Sequence, residues 1–102
     1  MTEGVGRYAN PRDGDVIEFH VEVIQNTVAV KSVDLRCCHS AMRSADELAA
    51  WSYGKTPEDA ARIEPRELIA RLSLAEDEER CALTAIAALR AALVDAHVKD
   101  LE

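Results

Sequence analysis

The sequence predicts an α+β fold, a small antiparallel sheet followed by helices that cover one of its faces. Three observations carry this. Residues Val16 to Ile24 alternate, with Ile17, Phe19, Val21 and Val23 on one side and Glu18, His20 and Glu22 on the other, the period-two pattern of a half-buried strand. After Cys38 the apolar spacing changes to that of helices. The strand signals all precede the helix signals, which separates the fold from an alternating parallel architecture.

Taken in order, residues 1–14 hold three glycines and a proline and read as a mobile lead-in with at most one short strand around Arg7 to Ala9. The strand from Val16 ends at Gln25-Asn26, a candidate tight turn. A second strand runs from about Thr27 to Cys37, and its apolar parity shifts between Val28/Val30 and Val33/Leu35, predicting a bulge near Ser32. Ser40 is placed to cap a helix that closes at Gly54, with Met42, Ala45, Leu48 and Ala49 as its apolar stripe. Thr56-Pro57-Glu58 starts a short helix, and Pro65 opens another through Leu68, Ile69 and Leu72. Glu76–Glu79 reads as the solvated start of a long helix to about Lys99, whose buried stripe is Ala82, Ile86, Leu89, Leu93 and Ala96.

At 102 residues the chain is expected to form one domain, residues 1–102. Hydrophobic residues are 48% but aromatic ones only 4%, so the core must be aliphatic and alanine-rich. Twelve basic against nineteen acidic residues leave a net charge of −7, which argues against nucleic acid as a partner, since phosphates need a basic face. The three cysteines, Cys37, Cys38 and Cys81, are odd in number and include a vicinal pair, unlike a secreted disulfide framework. With no signal segment and no long apolar run, the expectation is a cytoplasmic protein that is neither exported nor membrane-bound. There is no nucleophile–base–acid triad, phosphate-cradling loop or zinc-hydrolase motif, so the chain is not read as an enzyme.

The chemistry gathers in a few places. Cys38 and Cys81 each stand where a helix begins, and the positive end of the helix dipole favours a thiolate there. Arg36 and Arg43 flank Cys38, and Arg80 precedes Cys81. An Asp13-Gly14-Asp15 turn lies upstream. Cys37 reads either as a small buried hydrophobe on the Val33/Leu35 face or as an additional sulfur ligand. His39 reads either as a solvent-facing loop residue or as a further ligand following Cys38. His20 falls on the polar face of its strand, and His97 suits the C-terminus of the last helix. Trp51 reads as an anchor on the core.

In order and spacing these residues resemble the U-type iron–sulfur cluster assembly scaffolds, the group that includes the NifU N-terminal domain, IscU and SufU. Gly4, Gly6, Pro11, Gly14 and Asp15 match the family's lead-in and its Cys-Gly-Asp turn. Cys38, Ser40, Ala41 and Ser44 match its Gly-Cys-x-Ser-Ala-x-x-Ser loop, Gly54-Lys55 the close of its first helix, and Cys81-Ala82-Leu83 the cysteine that opens its last. The resemblance implies a SufE/NifU-like two-layer sandwich with a three-stranded antiparallel sheet and helices on one face. It implies a site at one end for a nascent [2Fe–2S] cluster or Zn2+, with Asp13, Asp15, Cys38 and Cys81 as metal ligands and Cys37 and His39 as possible extra ones. Cys38 is the implied acceptor of sulfur from a cysteine desulfurase, and recipient apo-proteins are the implied takers.

The chain departs from the family at three points. Asp13 stands where the first cysteine belongs, and Cys37 where a glycine usually precedes the second. Leu74-Ala75-Glu76-Asp77-Glu78 replaces the Leu-Pro-Pro-Val-Lys segment by which some members are handled by an Hsp70-type chaperone, so no such recognition is expected. Zinc takes mixed sulfur and carboxylate ligands readily, whereas clusters prefer thiolates, so the exchange of cysteine for Asp13 weakens the cluster reading more than the zinc reading. The rival readings are a diverged interaction or regulatory module that has lost cluster building, and a zinc-dependent persulfide-relay accessory of a desulfurase.

Overall fold

The protein is described by a computed structural model over residues 1–12, 14–36 and 39–101. Three strands, β1 (Thr2–Ala9), β2 (Val16–Ile24) and β3 (Thr27–Arg36), form an antiparallel sheet in the order β1-β2-β3. Helices α1 (His39–Ser52), α2 (Pro57–Ala61) and α3 (Pro65–Leu72) follow, then a 3₁₀ turn at Glu76–Glu78 that runs into α4 (Glu79–Asp100). This is the expected α+β sandwich.

The hairpin forms where the sequence places it. Gln25 and Asn26 both have positive φ, 51° and 62°, as the two central residues of a type I′ turn require. The β2–β3 register passes from His20↔Ser32 to Val21↔Val30, leaving Lys31 as the extra residue of the bulge. Its ammonium spans the outer face of the sheet, 2.8 Å from Glu3 on β1 and 3.2 Å from Glu22 on β2. Ile17, Phe19 and Val21 point the other way and are fully buried. The shielding helices bring Leu48, Leu68, Ile86 and Leu89 to them.

The lead-in departs from expectation. It is a full strand, and α4 packs on it more extensively than on any other element. The glycines that suggest mobility serve close approach instead. A Cβ on Gly4 would sit 2.8 Å from Cβ of Ala96, and one on Gly6 would strike the backbone of Ala92 and Ala88 and lie 2.6 Å from C of Ala91. Bare backbone on the strand and alanines on the helix let the two main chains come together. β1 is an edge strand whose outward N–H groups need covering. Val5 N–H donates to the Asp95 carboxylate at 2.9 Å, and Lys99 lies 2.9 Å from the same oxygen.

The Val5 amide, and after it Lys99, hold the Asp95 carboxyl below the usual carboxylate range. A group depressed in this way adds stability above its unfolded pKa, and that stability is lost as pH falls through the folded value. Asp95→Ala is therefore expected to lower the melting temperature at neutral pH. The gap to the native chain should narrow below about pH 4, the ordinary carboxyl value. Thermal melts across pH read this directly, and a gap constant from neutral to strongly acidic pH would contradict it.

Two smaller expectations are corrected. The buried stripe of α1 is Ala41, Ser44, Ala45, Leu48 and Ser52, and Met42 is 42% exposed. Small polar residues turn inward because the helix satisfies them: Ser44 Oγ donates to the Ser40 carbonyl at 2.8 Å and Ser52 Oγ to the Ala49 carbonyl at 3.2 Å. Ser40 lies inside the first turn of α1, and its hydroxyl donates to Glu78. Trp51 is half-buried against the core, with the Arg71 guanidinium 4.2 Å above its ring. Residues Glu76–Asp100 are long and apolar enough to cross a membrane by length and composition, but more than half of their most apolar stretch is buried in this fold.

Candidate metal centre

Three chain junctions converge at one end of the sandwich. The first is the β1–β2 loop. Strand pairing closes at Ala9↔Val16, and Asn10 organises what lies between. Its backbone N–H donates to the Asp15 carbonyl at 2.8 Å, its carbonyl accepts the Gly14 N–H at 3.0 Å, and its side-chain oxygen accepts the Arg12 N–H at 2.9 Å. Gly14, at φ 75°, supplies the left-handed step the loop needs. The second junction is the end of β3, since Val16 also pairs with Arg36. The third is the start of α4. Asn10 Nδ2 donates to Thr84 Oγ at 3.3 Å, and that hydroxyl donates to the Arg80 carbonyl at 2.9 Å. A groove between loop and helix is lined by Tyr8, Asn10, Arg12, Asp77, Arg80 and Leu83.

Among the candidate ligands, Asp15 and Cys81 are both brought to this end and both are buried, at 9% and 3% exposure. Asp15 has the inward parity of Ile17, and Cys81 sits in the first turn of α4. His39 opens α1 at the same end and is exposed. The remaining candidates, Asp13, Cys37 and Cys38, lie outside the described residues. A carboxylate and a thiol, each at low exposure, suit zinc or an iron–sulfur cargo in donor type.

Sequence reasoning misses the residues that build this end. Asn10 has a readable signal, an Asx-type residue directly after a strand and before Pro11. Thr84 is the one polar interruption of the stripe from Ala82 to Ile86. Glu78 has none, because it sits in an acidic run that reads as solvated.

Among the described residues, one group of three potential ligands has its donor atoms within 4.8 Å of one another: Glu18, His20 and Asp34. It lies on the outer face of the sheet, opposite the inward side to which Asp15 belongs. His20 Nε2 is 2.8 Å from Glu18 and 3.3 Å from Asp34, so an imidazole hydrogen-bonded beside two carboxylates accounts for the group.

A three-stranded antiparallel sheet backed by helices, with a buried thiol and a buried aspartate at one end, defines a small α+β domain. The chain belongs to the NifU-like N terminal domain family, whose model matches residues 1–102. It is 33% identical over 98 residues to the iron sulfur cluster assembly protein 1, mitochondrial, of Kluyveromyces lactis, covering 94% of this chain and 54% of that protein. It is 32% identical to the iron-sulfur cluster assembly scaffold protein IscU of Rickettsia prowazekii, covering 90% of this chain and 71% of the relative. The iron-sulfur cluster assembly enzyme IscU of Drosophila melanogaster is 30% identical, with 98% and 66% covered. The chain thus spans about half to seven tenths of the length of these relatives.

Proposed function

We propose that this chain is a scaffold-type domain of iron–sulfur cluster assembly that binds and hands over without turnover of its own. The observation that carries the reading is the delivery of Asp15 and Cys81 to one end of a NifU-family fold, beside the junctions that lead to Asp13 and to Cys37-Cys38. Cys38 accepts sulfur from a cysteine desulfurase in this reading. Asp13, Asp15, Cys38 and Cys81 hold iron, a [2Fe–2S] cluster as cargo, or zinc, and recipient apo-proteins take the product. Relatives named as cluster assembly scaffolds support it. A cytoplasmic setting keeps the three thiols reduced for this role.

A second reading, zinc-dependent persulfide relay at the same residues, is favoured by Asp13 at the position of the family's first cysteine. The two part on anaerobic reconstitution with iron and sulfide, read by visible absorption and elemental analysis. A chromophore lost in Cys38→Ser supports the scaffold. Zinc alone at one per chain supports relay. No metal in any preparation sinks both and leaves an interaction module.

Recognition by an Hsp70-type chaperone is absent in this proposal. Leu74 is 8% exposed, and Glu76–Glu78 form a 3₁₀ turn in which Glu78 accepts from Ser40 and the Ala75 N–H, so the segment is not an extended peptide. Peptide-competition binding checks this, and tight engagement of residues 74–79 would overturn it.

A further inference from the structure

We propose that Glu78 is a positioning residue that latches the start of α1 to the start of α4, the helix that carries Cys81, and so steadies that end of the fold for metal. The inference rests on the metal-handling reading above. Glu78 is three residues before Cys81, and Ser40 is two residues after Cys38. One carboxylate joins them. Its Oε2 accepts the Ser40 hydroxyl, and its Oε1 accepts the Ala75 N–H at 2.9 Å. Both oxygens are therefore committed to fixed partners on opposite sides.

Each partner is itself held. The Ser40 carbonyl accepts the hydroxyl of Ser44, which is fully buried, so the serine is fixed on the far side of its own turn. Ala75 follows Leu74, which is anchored in the core, its N–H donating to the Ile69 carbonyl at 3.1 Å. The same turn of α1 is tied down a second time, by Arg43 donating to the Leu72 carbonyl at 3.1 Å. The Ser40 hydrogen bond, then the Ala75 N–H and the nearby Arg43 charge, keep the Glu78 carboxyl below its ordinary range. The carboxylate is thus ionised and available as an acceptor across the neutral range. Partners that orient ligand-bearing elements without touching the metal commonly set its affinity.

Co2+ titration of the full chain, followed by thiolate-to-cobalt absorption, tests this, with amide hydrogen exchange at Arg43 and Ser44 as a metal-free readout. Glu78→Ala and Ser40→Ala should each weaken cobalt binding by about tenfold. The double variant should be no weaker than Glu78→Ala alone, since the Ser40 bond is already lost there. Glu78→Gln should restore affinity, because its amide oxygen still accepts from Ala75 and its NH2 still meets Ser40. Exchange at Arg43 and Ser44 should quicken several-fold in Glu78→Ala and recover in Glu78→Gln. Native affinity in Glu78→Ala, or a Glu78→Gln variant as weak as alanine, overturns the latch. If the native chain gives no thiolate–cobalt band, the metal reading falls. The latch is then decided by exchange alone, standing if Glu78→Ala accelerates it and failing if it does not.

Discussion

Gly6→Ala is expected to cost at least about 3 kcal/mol of folding free energy, the upper end of what overpacking usually costs. The added methyl would meet main-chain atoms of Ala88, Ala91 and Ala92, and backbone in mid-helix cannot rotate aside as a side chain can. α4 would have to lift from β1 as a body, releasing the Val5–Asp95 bond and loosening the alanine stripe behind it. Against a total stability of about 5–15 kcal/mol for a domain of this kind, the loss is large. Gly54→Ala is the informative contrast. Nothing lies within 4 Å of a Cβ there, so only its φ of 85° is penalised, at about 1–2 kcal/mol. Urea unfolding followed by circular dichroism measures both. A Gly6→Ala midpoint equal to that of Gly54→Ala would show that the strand and helix do not approach as closely as described.

Cys81→Ser is expected to remove zinc binding, by more than the roughly 10–100-fold that follows loss of an outer-shell partner. A thiolate gives zinc a strong, soft bond, whereas a serine hydroxyl is protonated at neutral pH and binds it poorly. The clean measurement is ligand-linked melting. Zinc at about a hundred times its dissociation constant stabilises a native state that alone binds it by about 2.7 kcal/mol. That shift should appear in the native chain and vanish in Cys81→Ser, with the zinc-free melts compared separately to account for the buried hydroxyl. An undiminished zinc shift in the variant would exclude Cys81 as a ligand.

What was legible in the sequence followed from strong local patterns. β2, the Gln25-Asn26 turn, the bulge and the buried stripe of α4 were readable because alternation, left-handed turn residues and helical spacing act over a few neighbours. β1 was hidden because Gly4 and Gly6 look the same in sequence whether they supply freedom or let a helix backbone approach. Only a partner some ninety residues away distinguishes the two. Ser44, Ser52 and Thr84 look like surface residues until their hydroxyls are seen to bond carbonyls of their own helices. At the candidate site, residue types and order pointed through family likeness to the β1–β2 loop and the start of α4, where Asp15 and Cys81 are buried. Asn10 and Glu78, which tie those segments together, act through contacts 74 and 38 residues apart that no local pattern encodes.

The pairing of β1 with α4 also sets when the site can exist. Asp15 hangs from the first hairpin, and Cys81 rides on the helix that clamps the first strand. Closing that contact requires residues beyond 90 to meet residues 4–6, among the longest-range contacts in the fold. During synthesis a nascent chain has its hairpin and its first thiols long before α4 leaves the ribosome. A half-made chain therefore cannot bring Cys81 to the end of the hairpin, and the candidate site can be complete only once the helix has closed over the strand.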